Sequence, residues 1–151
     1  MTVPLEREAI MPRIDGIRKN IARLRELSMI PLVDFSHGDD FDLAQHHLRL
    51  ALEGVFHIGS HVLSRMPGGR TVEYAGIAER LGELGIVDRA FAKEHLVPMA
   101  GLRNLLVHQY SDIDPERLQN ILKNHLGDIE AFLVAAGKVV EHPDRFGLTI
   151  E

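Results

Sequence analysis

Apolar residues return every third or fourth position along most of this chain, and nowhere do they alternate in the way a half-buried strand requires. That rhythm restricts the chain to helices. Ile10, Ile14, Ile17, Ile21 and Leu24 alternate spacings of four and three, which places them on one stripe of a helix predicted from roughly Leu5 to Ile30. Pro12 falls near its start, where a missing amide proton matters least, so regular helix is expected to begin there. Arg13, Arg18, Lys19, Arg23 and Arg25 make this the most basic helix, and Pro31 stops it.

A polar loop through Ser36 to Asp40 leads to a second helix, with Asp39 or Asp40 as its cap and a stripe running from Phe41 through Ala44, Leu48, Ala51, Val55 and Ile58 to Val62. Met66-Pro-Gly-Gly-Arg70 breaks it near Arg65. A short third helix is expected from a Thr71 cap to Leu84, with Tyr74, Ile77, Ala78 and Leu81 inward and Gly85 in the left-handed position that ends a helix. Asp88 is placed as cap of the fourth, which carries Phe91, Ala92, Leu96, Met99, Leu102 and Leu106 inward. Pro98 interrupts that pattern and predicts a kink, or two helices meeting. Ser111 to Pro115 reads as a turn, and Asp114 followed by Pro115 is a strong start signal for a fifth helix. That helix carries Leu118, Ile121, Leu122, Ile129 and Phe132 and is expected to end near Gly137. The expectation is an all-α, up-and-down bundle of about five helices in one domain spanning residues 1–151, with loosely ordered ends at 1–4 and 142–151.

Composition narrows the function. The chain has no cysteine, which removes disulfides and thiolate metal sites and suits a reducing cytoplasm. No run approaches the roughly 20 apolar residues of a membrane span, so a cytoplasmic protein with no membrane partner is expected. A net charge of −5 argues against non-specific coating of nucleic acid, which needs a basic face. It leaves room for a local basic site.

The chemistry concentrates in Met99-Ala-Gly-Leu-Arg-Asn-Leu-Leu-Val-His-Gln-Tyr110. On a helix, Met99, Leu102 and Leu106 share a core face, whereas Asn104 and His108, four apart, stack on the accessible side. Arg103 lies between the two faces, Tyr110 follows at the helix end, and Gly101 leaves room for another backbone. These groups suit cleavage of a phosphodiester by a neighbouring hydroxyl. Histidine moves a proton near neutral pH, arginine holds two phosphate oxygens, and an amide and a phenol add hydrogen bonds.

The pattern Arg, four residues, His, one residue, Tyr resembles the signature of HEPN-type ribonucleases, with Asn104 directly after the arginine. Met99-Ala-Gly before the signature and Ser111-Asp-Ile-Asp after it resemble the HepT-like branch, as do the stretches Gly-Ile-Val-Asp88 and Ile58-Gly-Ser-His61. The resemblance implies a HEPN-like helical homodimer, a metal-independent endoribonuclease toxin with no cofactor. Catalysis would fall to Arg103, Asn104 and His108, and RNA phosphate contacts to Arg103 and Tyr110. It further implies a partner, an MntA-type nucleotidyltransferase antitoxin, that silences the toxin by attaching AMP to the signature tyrosine, here Tyr110. One histidine cannot easily be both base and acid, and a two-fold dimer with the fourth helices facing each other would bring two sets together.

Two rival readings stand beside this one. Glu53, His57 and His61 are spaced four apart on one helical face, a weak candidate metal site, read in preference as a polar stripe or the rim of the dimer cleft. The chain could also be a non-catalytic module that binds nucleotides or proteins. The basic residues of the first helix are read as a solvated face in preference to an RNA contact.

Overall fold

A computed structural model describes residues 3–108 and 113–151. The described chain consists of α1 (Arg7–Ser28), α2 (Leu32–His37), α3 (Asp40–Ser64), α4 (Tyr74–Glu83), α5 (Arg89–Phe91), a π-helical turn (Ala92–Leu96), α6 (Val97–His108), α7 (Pro115–Asn124), α8 (Leu126–Glu141) and a 3-10 turn (Pro143–Phe146). The fold is all-α, as the periodicity requires.

The pairing of α1 with α3 is the most extensive in the bundle. The α1 stripe from Ile10 to Leu24 is buried along its whole length, as is the α3 stripe from Ala44 to Val62. Gly54 sets how closely the two helices approach. A Cβ there would lie 2.8 Å from Ile17 Cγ1, so any side chain at this position would push α1 away. On its other flank α3 packs against α4, α6 and α8 and closes a core around Phe35, Phe56 and Phe132.

Four boundaries differ from the sequence reading. Leu32–His37 is a short helix whose Phe35 is fully buried, where a loop is expected. The α4 helix starts at Tyr74, with Glu73 in the cap position in place of Thr71. The expected fifth helix is two: His125 leaves the helical region (φ −123°, ψ −1°) between α7 and α8, and α8 passes Gly137 to end at Glu141. The tail is not loose. Its Leu148 is buried, Leu5 N–H donates to Thr149 O at 2.8 Å, and Glu151 N–H donates to Leu5 O at 2.9 Å, a parallel bridge that ties the two ends together.

The local expectations at Gly85 and Asp114 hold, and the meeting of two helices at Pro98 does not. Gly85 takes φ +76° just beyond α4. At Pro98 the chain neither breaks nor splits into two helices. A proline cannot donate to the carbonyl four residues back and its ring crowds that carbonyl. The five-residue π-helical turn immediately before it widens the helix, and the backbone stays helical through Val97 (φ −61°, ψ −45°). Asp114 caps α7, its carboxylate accepting from Arg117 N–H at 2.7 Å. Asp114→Ala is expected to cost about 1 kcal/mol of stability. Urea unfolding should show it as a lower midpoint at unchanged slope.

Candidate active site

The apolar positions of α6 anchor it and leave one face outward. Met99, Ala100 and Leu106 are buried, whereas Gly101, Asn104 and His108 are exposed. Asn104 and His108 share the accessible side, as their spacing requires. Among the described residues, no atom outside α6 comes within 4 Å of where a Gly101 side chain would begin, so the close approach expected there is not made by them. Tyr110, with the turn residues Ser111 and Asp112, lies outside the described residues.

Arg103 is held from two sides. Its Nε and Nη2 both donate to Glu53 Oε2, at 3.1 and 2.9 Å, and its Nη1 donates to Asn104 Oδ1 at 3.3 Å. The guanidinium carbon sits 4.7 Å from the centroid of the Tyr74 ring, within cation–π range. Tyr74 in turn stacks on buried Phe56 with centroids 4.8 Å apart and planes 14° from parallel. The other oxygen of Glu53 accepts from Arg49 Nη1 at 2.9 Å. One carboxylate on α3 therefore fixes the arginine of α6, and an aromatic pair supports it from below. A guanidinium ordered in advance loses less freedom when it meets a phosphate.

The sequence matches the family described as Ribonuclease HepT-like over residues 17–136, most of the chain and all of the site just described. The chain belongs to the HepT-like ribonuclease family. Among its relatives, the tRNA nuclease HepT of Aphanizomenon flos-aquae is 30% identical over 115 residues, covering 76% of this chain and 78% of that protein. A putative RNase of Archaeoglobus fulgidus is 29% identical over 112 residues, covering 74% and 78%. In structure the chain is similar to the tri-AMPylated HEPN toxin of Shewanella oneidensis solved in complex with an MNT antitoxin. That match has a TM-score of 0.77 at 21% identity, over 85% of this chain and 96% of the other. A toxin–antitoxin MntA–HpeT mutant complex matches with a TM-score of 0.75 at 21% identity, over 86% and 98%. At such identity these two likenesses establish the HEPN-like helical fold.

In this HepT-like chain the weak metal alternative does not assemble. Glu53, His57 and His61 share α3, but each is engaged elsewhere, and no group of three or more histidines and carboxylates converges among the described residues. Glu53 serves Arg103 and Arg49. His57 Nδ1 accepts from Arg13 Nη1 at 3.0 Å, and His61 Nε2 accepts from the backbone N–H of Glu6 at 3.0 Å. Both rings must be unprotonated at those nitrogens to accept. Burial lowers the pKa of each, and a nearby arginine lowers it further, Arg13 for His57 and Arg65 for His61. Both are neutral at pH 7.

Glu53 and Tyr74 are the site residues that sequence reasoning places elsewhere, one in a metal set and the other in the core. Glu53 does carry a local signal. It is an acid four residues after Arg49, on a helix whose neighbouring positions, Ala51, Leu52 and Val55, are buried.

Proposed function

We propose that this HepT-like chain is a metal-independent endoribonuclease and the toxin half of a toxin–antitoxin pair. The observation that carries the reading is the Arg103 guanidinium, ordered by Glu53 and Tyr74 and bonded to Asn104, on the helix that also exposes His108. The ribonuclease and tRNA nuclease names of its relatives support the same reaction class.

In the proposed reaction the 2′-hydroxyl oxygen of RNA attacks the adjacent phosphorus. Its proton passes to one His108, and the bond from phosphorus to the 5′-oxygen breaks. The departing oxygen takes a proton from the His108 of a second copy. The products are a 2′,3′-cyclic phosphate and a 5′-hydroxyl. Arg103 neutralises the charge that builds on the phosphate oxygens, and Asn104 donates to phosphate or orients the histidine. The exposed face of α6, open at Gly101, is the surface on which two copies meet in a homodimer.

The AMP-modified toxin with its MNT antitoxin, and the MntA–HpeT complex, support an MntA-type nucleotidyltransferase as the partner. Tyr110 is the proposed acceptor. Each added nucleotide brings negative phosphate and bulk to the end of α6, repelling substrate and filling the cleft. No described helix is long and apolar enough to cross a membrane, and the proposed site of action is the cytoplasm.

The test is incubation of the purified chain with total RNA in EDTA, after its intact mass has been checked for added AMP. Cleavage to 2′,3′-cyclic phosphate ends is expected. Intact RNA from an unmodified, dimeric protein would instead leave a binding module.

A further inference from the structure

Beside the Arg103 pair, between α1, α3 and the residues that link α3 to α4, lies an open cleft of about 940 Å³. That is near the upper end of the range of about 300–1,000 Å³ typical of ligand sites. Its lining includes Arg13, Arg65 and Arg70 and the rings of His57 and His61. In a chain of net charge −5, such a lining is a local reversal of sign.

We propose that this cleft binds the RNA strand flanking the scissile bond, through its phosphates. The inference rests on the ribonuclease reading and deepens it.

Three features favour an RNA backbone as occupant. The first is ordered positive charge. Arg13 is steadied by neutral His57, and Arg65 by Pro4 O at 3.1 Å, Ser64 Oγ at 2.7 Å and the Glu6 carboxylate at 3.2 Å, a pairing that offsets part of its charge. Arg70 follows a linker segment that presses on the end of α3. A Cβ on buried Gly69 would lie 2.4 Å from Leu63 O, which leaves that segment little freedom to swing. Guanidinium forks match phosphate oxygens, and holding them in place beforehand lowers the entropic cost of binding.

The second is chemistry suited to ribose. Ser60, Ser64 and Thr71 also line the cleft, and their hydroxyls can donate to and accept from a 2′-hydroxyl.

The third is continuity. Tyr74 and Phe56 line the cleft, and the Tyr74 ring carries the Arg103 guanidinium. A strand with one phosphate at Arg103 is thus led past Tyr74 toward the three arginines. Arg13 belongs to a helix whose basic residues read as merely solvated. The structure divides that set: Arg13 lines the cleft, while Arg18 and Lys19 are exposed outside it.

The experiment reads binding in a chain that cannot cut. In a His108→Ala background, a fluorescent unstructured oligouridylate is titrated across a series of salt concentrations. Combined Arg13→Gln, Arg65→Gln and Arg70→Gln substitutions are expected to weaken binding about 10-fold or more at low salt. They should lower the slope of log affinity against log salt by about 2, since each lost phosphate contact on a single strand removes about 0.7. Arg70→Gln alone, on an exposed side chain, should lower the slope by about 0.7, so the result survives if the triple variant does not fold. Arg18→Gln with Lys19→Gln should leave the slope unchanged.

Parental affinity and slope in both the triple variant and Arg70→Gln would overturn the proposal. So would unchanged RNA binding together with lost binding of the nucleotidyltransferase, which would assign the cleft to the protein partner. A parent that binds RNA through these arginines but never cuts it sinks the ribonuclease reading and leaves the cleft standing. A parent that cuts RNA while the arginines prove irrelevant does the reverse.

Discussion

Replacing His108 with alanine is expected to slow RNA cleavage by about 10²–10⁴-fold, the usual contribution of a general acid or base. The side chain is exposed at the end of α6, away from the buried positions Met99, Ala100 and Leu106, so the fold should be untouched. Thermal melting of the variant should match the parent. Single-turnover cleavage of a defined RNA separates the chemical step from binding, and the loss should fall on the chemical step with affinity nearly unchanged. Both protonation roles in the proposed reaction belong to His108, one in each copy, so the variant removes the base and the acid together. A variant that keeps more than about a tenth of the parental rate would mean that proton transfer is handled by another group.

Arg103→Lys is the second large expected effect, although it keeps the charge. Lysine has no planar fork, so it cannot donate twice to Glu53 Oε2 while sitting over Tyr74 as the guanidinium does. It also meets a phosphate as a point charge rather than with two parallel hydrogen bonds. The expected fall in kcat is about 10²–10³-fold, the cost of losing one oriented donor to a developing oxyanion. Stability should change little. Glu53 keeps its bond to Arg49, and the pair is partly open to solvent, with side-chain exposures of 22% for Arg103 and 17% for Glu53. A melting temperature close to the parent with a collapsed kcat is therefore the signature of a catalytic rather than a structural arginine. Full activity in Arg103→Lys would show that charge alone suffices and that the aromatic seat is incidental.

The helical architecture was legible because burial follows period. The α1 and α3 stripes sit in the core where spacing puts them, and the Asp114–Pro115 start of α7 is where its residues call for it. What spacing could not show is where a continuous apolar rhythm changes direction. Leu118, Leu122, Leu126, Ile129 and Leu133 keep helical spacing straight across the break at His125, so only the tertiary fold reveals two helices there. The helix Leu32–His37 was hidden for the opposite reason. Six residues carry too little periodicity to register, and a proline stands at their head.

The candidate site was half legible for a similar reason. Arg103, Asn104 and His108 lie close together on one helix, and their spacing fixes their relation. Glu53 is fifty residues away from Arg103, and nothing in the intervening sequence says that the two meet. Its regular spacing with His57 and His61 reads as a polar stripe, with metal ligation as the weak alternative, and neither reading names Arg103. Equal spacing places side chains on one face but cannot say which partners arrive from neighbouring helices. Here the partners are Arg103 for Glu53, Arg13 for His57 and the Glu6 amide for His61.

The widened turn at Ala92–Leu96 also governs angular phase. Each residue of an α-helix advances about 100° around its axis, so a π-helical turn acts as a single-residue insertion that rotates everything beyond it relative to everything before. Phe91 and Ala92 meet the neighbouring helices in one phase, and Leu102, Arg103 and His108 meet theirs in another. Rewinding this turn as ordinary α-helix with all its residues kept would turn one half of the rod by about a quarter of a revolution against the other, setting core residues toward solvent and candidate site residues toward the core.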